Sequence, residues 1–289
     1  MAQQPEGAYY VPHGTHWPII GSIGMFLMLG SAAFWLNDSD FAKWTFFAGA
    51  LVLIYMLTGW FGEVIRESED GMYNSQVDTS FRMGMLWFIF SEVMFFACFF
   101  GALFYARVLS VPWLGGEGTG AITNEMLWQG YQNVWPTAGP DQLGGDFKTI
   151  PAFGVPFLNT LILLTSGATV TMAHHALKKN LRRNLVFWLA ATVALGFVFV
   201  WFQIEEYKEA YQELGLTLGS GIYGSTFFML TGFHGLHVTL GAIMLLVITV
   251  RCALGHFRPN QHFGFEAVAW YWHFVDVVWL ALFIFVYVF

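Results

Sequence analysis

The sequence predicts an all-α integral membrane protein of seven transmembrane helices, and three observations lead there. Of its 289 residues, 56% are hydrophobic, 19% aromatic and only 11% charged, whereas soluble domains carry roughly a quarter charged residues. The chain has too few charges to cover a water-facing surface, and its mean hydropathy is +0.56. Second, the apolar residues fall into uncharged or nearly uncharged runs of membrane length, about 20 residues each. Third, most of the charges gather in the breaks between those runs. The competing class is a soluble all-helical protein with a very large core.

The first run, Trp17 to Leu36, contains no charge and has tryptophans at both ends, where interfacial aromatics belong. Asn37-Asp38-Ser39-Asp40 breaks it. Trp44 to Gly62 is the second, closed by Glu63, Arg66, Glu67, Glu69 and Asp70. The third opens at Arg82 and runs to about Arg107, with Glu92 as its one internal charge. A long polar segment follows, residues 110–150, rich in Gly, Pro, Thr, Asn and Asp, which reads as an irregular loop. The fourth span, Pro156 to Ala173, ends in His174-His175 and the basic patch Lys178 to Arg183. The fifth, Asn184 to Ile204, is closed by the acidic segment Glu205 to Glu213. The sixth begins near Tyr223, after a glycine-rich approach, and ends near Val250. The seventh starts with His262 and reaches Phe289.

Seven spans place the termini on opposite sides of the membrane. With the N-terminus inside, the inner segments hold Arg66, Arg82, Lys178, Lys179, Arg182, Arg183, Arg251 and Arg258, and the outer ones Lys43, Arg107, Lys148 and Lys208. That bias orients the N-terminus to the cytoplasm, and the C-terminus and the long loop outside. Met1 to Gly7 lacks the basic start of a cleavable leader. No transporter-like internal repeat is visible. The net charge of −7 excludes a nucleic-acid partner. Cys98 and Cys252 suit buried small hydrophobes better than a disulfide or a metal motif.

The polar residues inside the spans are the candidate site. Wound as a helix, the last span carries His262, Glu266, His273 and Asp276 within about 80° of one another, one stripe on an otherwise apolar surface. Lipid cannot satisfy such a stripe, so it faces protein or water. Glu92 lies about 15 Å into the third span, at a depth comparable to Asp276, and His234 and His237 sit mid-span in the sixth, one turn apart. These residues are expected to form a buried polar cluster among spans three, six and seven, with Glu92 or Asp276 accepting from a histidine. Glu92, Asp276 and His273 have two readings, a proton or ion role and a hydrogen-bonded packing role between helices. His234 and His237 share a face in the way metal ligands do, but haem ligation would pair histidines on facing helices; no metal is expected. His174-His175 is expected to be exposed or to touch lipid headgroups. Arg66, Glu67, Arg82, Arg251 and Arg258 ring the inner interface, where anionic headgroups are the natural partner.

The last span, His262-Phe263-Gly264-Phe265-Glu266 followed by Ala269-Trp270-Tyr271-Trp272-His273-Phe274-Val275-Asp276-Val277-Val278-Trp279, closely resembles the final helix of subunit III of haem–copper cytochrome c oxidases. Val64-Ile65-Arg66-Glu67-Ser68 resembles the end of that family's second helix, Phe88 to Phe96 its third, Ala173-His174-His175 the end of its fourth, Glu206 to Ala210 the segment after its fifth, and Tyr223 to Phe228 with Gly232 to His237 its sixth. The resemblance runs from about residue 17 to the C-terminus.

It implies a single membrane domain over residues 1–289, with helices one and two (1–70) splayed from helices three to seven (71–289) around a lipid cleft. It implies a subunit with no catalytic centre and no cofactor of its own, since haems and copper lie in partner subunits. The partners implied are subunits I and II, membrane phospholipids, and cytochrome c indirectly through subunit II. The subunit would stabilise subunit I and support proton uptake in a proton-pumping oxidase that oxidises cytochrome c and reduces oxygen. Glu92 corresponds to the family's helix-three carboxylate; Arg66, Glu67 and Arg251 map to its lipid-binding region. The chain departs from the family at Gly71-Met72-Tyr73-Asn74, where many members have Gly-x-His-Thr. Its long outer loop points to a bacterial inner membrane. The alternatives are the third subunit of a quinol oxidase or nitric oxide reductase, an autonomous proton channel or transporter using Glu92 and Asp276, and an enzyme with its own haem.

Overall fold

The structure is a computed structural model that describes residues 14–142 and 144–289, so the leader reading of Met1 to Gly7 lies outside the described residues. Seven long helices follow in order: α1 (Trp17–Trp35), α2 (Ala42–Glu69), α3 (Ser75–Phe104), α4 (Val155–Lys178), α5 (Arg182–Gln212), α6 (Gly221–Leu254) and α7 (Phe263–Leu282). Single wide turns, Tyr105–Ser110 and Phe283–Val288, extend α3 and α7. The seven helical segments, Trp17–Trp35 to Phe263–Val288, are each long and apolar enough to cross a membrane. No strand forms among the described residues.

Most helices outrun the apolar runs that announce them. α2 continues through the charges to Glu69, α3 starts at Ser75 instead of Arg82, and α5 passes the acidic residues to end at Gln212. Hydropathy detects the part of a helix in hydrocarbon, whereas helical hydrogen bonding continues into the headgroup layer. In α5 the core-facing pattern, Leu189, Val193, Gly196, Phe199, Gln203, Glu206 and Ala210, keeps three- and four-residue spacing straight across the change in polarity. Conversely α7 begins one residue late: His262 is its N-cap and has non-helical φ and ψ.

Contacts divide the chain into two compact units, one ending at Met83 and the other Gly84–Phe289. In the first, α1 and α2 pack through small residues, with Gly21, Gly24, Ser31, Ala42 and Gly49 all buried. A Cβ at Gly49 would lie 2.6 Å from the backbone nitrogen of Met28. Small residues let backbones approach where no hydrophobic force drives association. Ser31 donates to Thr45 at 2.6 Å and the Trp17 indole donates to Glu63, so polar groups close both ends of the pair.

In the second unit α7 is the central helix. Trp272 is fully buried and its indole N–H donates to Ser166 of α4 at 2.9 Å. Its ring occupies the space beside Gly196 of α5 and Gly241 of α6, where added Cβ atoms would lie 2.8 and 2.9 Å from it. About two turns further on, Trp279 repeats the device, donating to Thr160 of α4 at 2.9 Å and packing edge-on to Phe199 of α5. α6 ends at Gly255, in the left-handed region with φ 87°, and Arg182 caps its last carbonyls, donating to Cys252 at 3.1 Å and Ala253 at 2.9 Å. The loop expected to be irregular contains short helical pieces, Val111–Leu114 and Ala121–Met126. Its later part is tied to the start of α6: Phe147 stacks on Tyr223 at 5.4 Å, and Lys148 N–H donates to Leu214 at 2.9 Å. Cys252 is buried, but Cys98 is exposed on α3, against expectation; most large residues on that face of α3 are exposed too.

Candidate functional site

The candidate polar residues of spans three, six and seven fall into three separate sets, all in the second unit. The first joins α3 to α6. His237 places Nε2 at 2.9 Å from Glu92, and Nδ1 at 2.6 Å from the Phe233 carbonyl. The carbonyl only accepts, so Nδ1 donates to it. Nε2 then either donates to a Glu92 carboxylate or accepts from a Glu92 carboxylic acid; the pair holds a proton that either partner can carry. Phe95, Phe96 and Tyr271 enclose the imidazole. Glu92 is nonetheless partly open, with 21% of its side chain exposed. His234 is one turn away but apart from this pair. It is fully buried against Phe199 and Trp279, and its Nε2 lies 3.2 Å from the Val275 carbonyl.

The second set is the mid-part of the α7 stripe, which faces α4. Asp276 lies 3.4 Å from His273 on its own helix, and His273 lies 3.4 Å from Thr171. Asp276 also touches the bare backbone of Gly167, where a Cβ would lie 2.5 Å from its Oδ2. Asp276 is buried, with Oδ1 lacking a hydrogen-bond partner, while His273 is exposed. The third set is at the helix ends: His262 and Glu266, 3.3 Å apart, meet His174 of α4. His175 next to it is exposed. The single cluster expected among spans three, six and seven is therefore divided, and Glu92 is separated from Asp276 and His273. His234 and His237 serve the middle of α6, and Glu266 and His262 serve the α4–α7 end. The stripe was legible from its 100° winding; the helix it faces was not, and that helix is α4.

The lipid candidates are placed unit by unit. In the first unit, Arg66 is exposed and donates back to the Gly62 carbonyl at 3.3 Å, and Glu67 accepts from Tyr73 at 2.6 Å. Tyr73, where the chain departs from the family pattern, is thus a hydroxyl donor to Glu67. In the second unit, the Arg251 guanidinium lies over the Phe257 ring at 4.4 Å. The sequence reading missed one buried group. Glu206, 1% exposed, accepts from Tyr287 and, at 3.2 Å, from Gln203. Its signal was the unbroken core spacing of α5, which places Glu206 on the same face as Phe199.

The family model described as Cytochrome c oxidase subunit III matches residues 7–122 and 130–289. The chain belongs to that family. Three curated relatives, each named Cytochrome c oxidase subunit 3, align over 288 residues, 99% of this chain and 98% of theirs: 39% identical in Marchantia polymorpha, 40% in Oncorhynchus mykiss and 38% in Arabidopsis thaliana. As a family member the chain is a membrane subunit of cytochrome c oxidase, an oxidoreductase complex of the respiratory chain whose redox cofactors lie in other subunits. The family match breaks at residues 123–129, inside the long connection between α3 and α4, where this subunit III carries its short helix Ala121–Met126.

Proposed function

We propose that this chain is the non-redox third core subunit of a proton-pumping oxidase, that it stabilises subunit I, and that it supports proton uptake through Glu92. The observation that carries this reading is the Glu92–His237 pair: a carboxyl and an imidazole at 2.9 Å, sharing a proton and partly open in the middle of a helix whose mid-span exposed residues are mostly apolar. A group that exchanges a proton at a partly open position can pass it on; a purely packing pair has no need of the opening. The residues also argue against haem in this chain. His237 commits both ring nitrogens, His234 is sealed against Val275, and among the described residues neither faces a second histidine across the helices.

Structural phospholipid is the second part of the proposal. Arg66 with the Tyr73-supported Glu67 in one unit, and Arg251 on Phe257 in the other, present the charges a headgroup needs. Subunit I and subunit II are the proposed partners, with cytochrome c reached through subunit II. The orientation is N-terminus in, which the eight-to-four Lys/Arg bias supports. A bacterial inner membrane is the location that the long 110–150 connection favours. A quinol oxidase complex differs only in partners, so co-purification decides between them.

The test is extraction of the tagged chain in mild detergent, identification of co-purifying subunits and a reduced-minus-oxidised spectrum. Haem arriving with two larger partners and leaving when they are stripped supports an accessory subunit; haem retained by the isolated chain refutes it. In the reconstituted complex, Glu92→Ala is expected to slow proton uptake while leaving haem content intact. Unchanged uptake would leave Glu92 only a packing role.

A further inference from the structure

One set of side chains is not used by the proposed function. Where α4 ends and α7 begins, three potential ligand atoms converge. His174 Nε2 is 3.3 Å from His262 Nε2 and 3.4 Å from Glu266 Oε1, and His262 Nε2 is 3.3 Å from the same oxygen. The three form a nearly equilateral triangle. A tetrahedral zinc ion with ligands at about 2.0–2.1 Å has ligand-to-ligand edges of about 3.3–3.4 Å. The triangle therefore matches one face of that tetrahedron without movement of any side chain.

Hydrogen bonding explains the triangle less well. His262 Nδ1 lies 3.2 Å from the Arg258 carbonyl, which only accepts, so that nitrogen carries the proton. In the neutral ring Nε2 then carries a bare lone pair. The Glu266 oxygen is also an acceptor. The His174 Nε2 position can donate to only one of these two acceptors at a time. The carbonyl on Nδ1 is the outer support that fixes tautomer and ring plane in histidine metal sites, and Phe265, centroid 5.4 Å from the His174 ring, holds the second imidazole. Glu266 supplies the negative charge of the set. The His174 side chain is 26% exposed, against 9% for His262 and 14% for Glu266, so the site opens on the α4 side.

We propose that His174, His262 and Glu266 form a three-ligand site for a divalent cation of the zinc class, with its fourth position open to solvent. Two nitrogens and one carboxylate oxygen select such ions over magnesium or calcium, which prefer all-oxygen sites. The bound ion would clip the end of α4 to the start of α7.

The test is zinc uptake by the assembled oxidase, with bound zinc counted by elemental mass spectrometry after gel filtration. Wild type is expected to hold one zinc more per complex than His174→Ala or His262→Ala. Glu266→Gln is expected to weaken binding at least tenfold, and His175→Ala, outside the triangle, to leave it unchanged. Equal uptake by wild type and the triangle variants overturns the proposal. Should a variant fail to assemble, zinc-edge anomalous scattering from the wild-type complex soaked in zinc decides alone. A peak bonded to the three atoms supports the site; no peak there refutes it.

Discussion

Replacing Trp272 by Phe tests whether α7 holds the second unit together through one side chain. The indole is fully buried and touches three helices: it donates to Ser166 on α4, and its ring fills the gaps opposite Gly196 on α5 and Gly241 on α6. In a membrane the gain from this packing is mostly dispersion, since lipid is as apolar as the core. Phe removes about 40 Å³ that no neighbour is free to fill, which at about 24 cal/mol per Å³ costs about 1 kcal/mol. The lost hydrogen bond adds about 0.6 kcal/mol and at most about 1.7. Ser166 itself keeps its donor bond to the Leu163 carbonyl at 2.7 Å, so no hydroxyl proton is stranded. The total is about 2 kcal/mol. Unfolding of the purified complex in increasing dodecyl sulfate measures it. A double-mutant cycle with Ser166→Ala isolates the hydrogen bond, with an expected coupling of about 0.6–1.7 kcal/mol. A cost for Trp272→Phe below about 0.5 kcal/mol, the size of an ordinary surface change, would refute the central role given to this residue.

Three other pairs of substitutions read other parts of the structure. Gly49→Leu drives a side chain into the Met28 backbone and should destabilise the α1–α2 pair by more than about 1–3 kcal/mol, whereas Gly62→Ala, with nothing within 4 Å, should be silent; cysteine crosslinking between the two helices distinguishes them. Glu206→Gln keeps an acceptor oxygen for Tyr287 and Gln203 and should be tolerated, while Glu206→Leu leaves both donors unmatched in the core and should cost about 1–3 kcal/mol in the same detergent titration. Gly255→Ala meets both the left-handed backbone and the Arg182 guanidinium that caps α6, and should lower the thermal midpoint of the complex more than Gly235→Ala, which faces open space.

The spans were legible because hydrocarbon imposes a length and a composition that few other environments do. The helix ends were not, because charges at Glu63 to Glu69 or Glu205 to Glu213 end the apolar run without ending the hydrogen bonding. The stripe on α7 was legible for a related reason: ionisable residues are costly in lipid, so His262, Glu266, His273 and Asp276 had to share one face, of which the structure buries His262 and Asp276 and leaves His273 exposed. Which helix protects them depends on packing, and periodicity within one helix carries no information about its neighbour. The helix that protects them is α4, whose bare Gly167 opposite Asp276 and whose Thr171 and His174 opposite His273 and Glu266 make up the complementary face.

That complementarity explains how one helix can be organised for two jobs. Along the α4 side of α7, polar residues meet polar partners at successive turns: Glu266 with His174, His273 with Thr171, Asp276 with the Gly167 gap, and Trp272 and Trp279 donating to Ser166 and Thr160. The opposite direction of the same helix carries Tyr271 and Phe274, which wall the imidazole of His237 where it meets Glu92. Losing the α4 contacts would therefore loosen the wall of the Glu92 pair without touching either of its members. Ser166→Ala and Thr160→Ala together leave Glu92 and His237 chemically intact. If the two sides of α7 are mechanically joined, that double variant slows proton uptake by the assembled complex part of the way toward Glu92→Ala; if uptake matches wild type while stability falls, α7 serves the two sides independently.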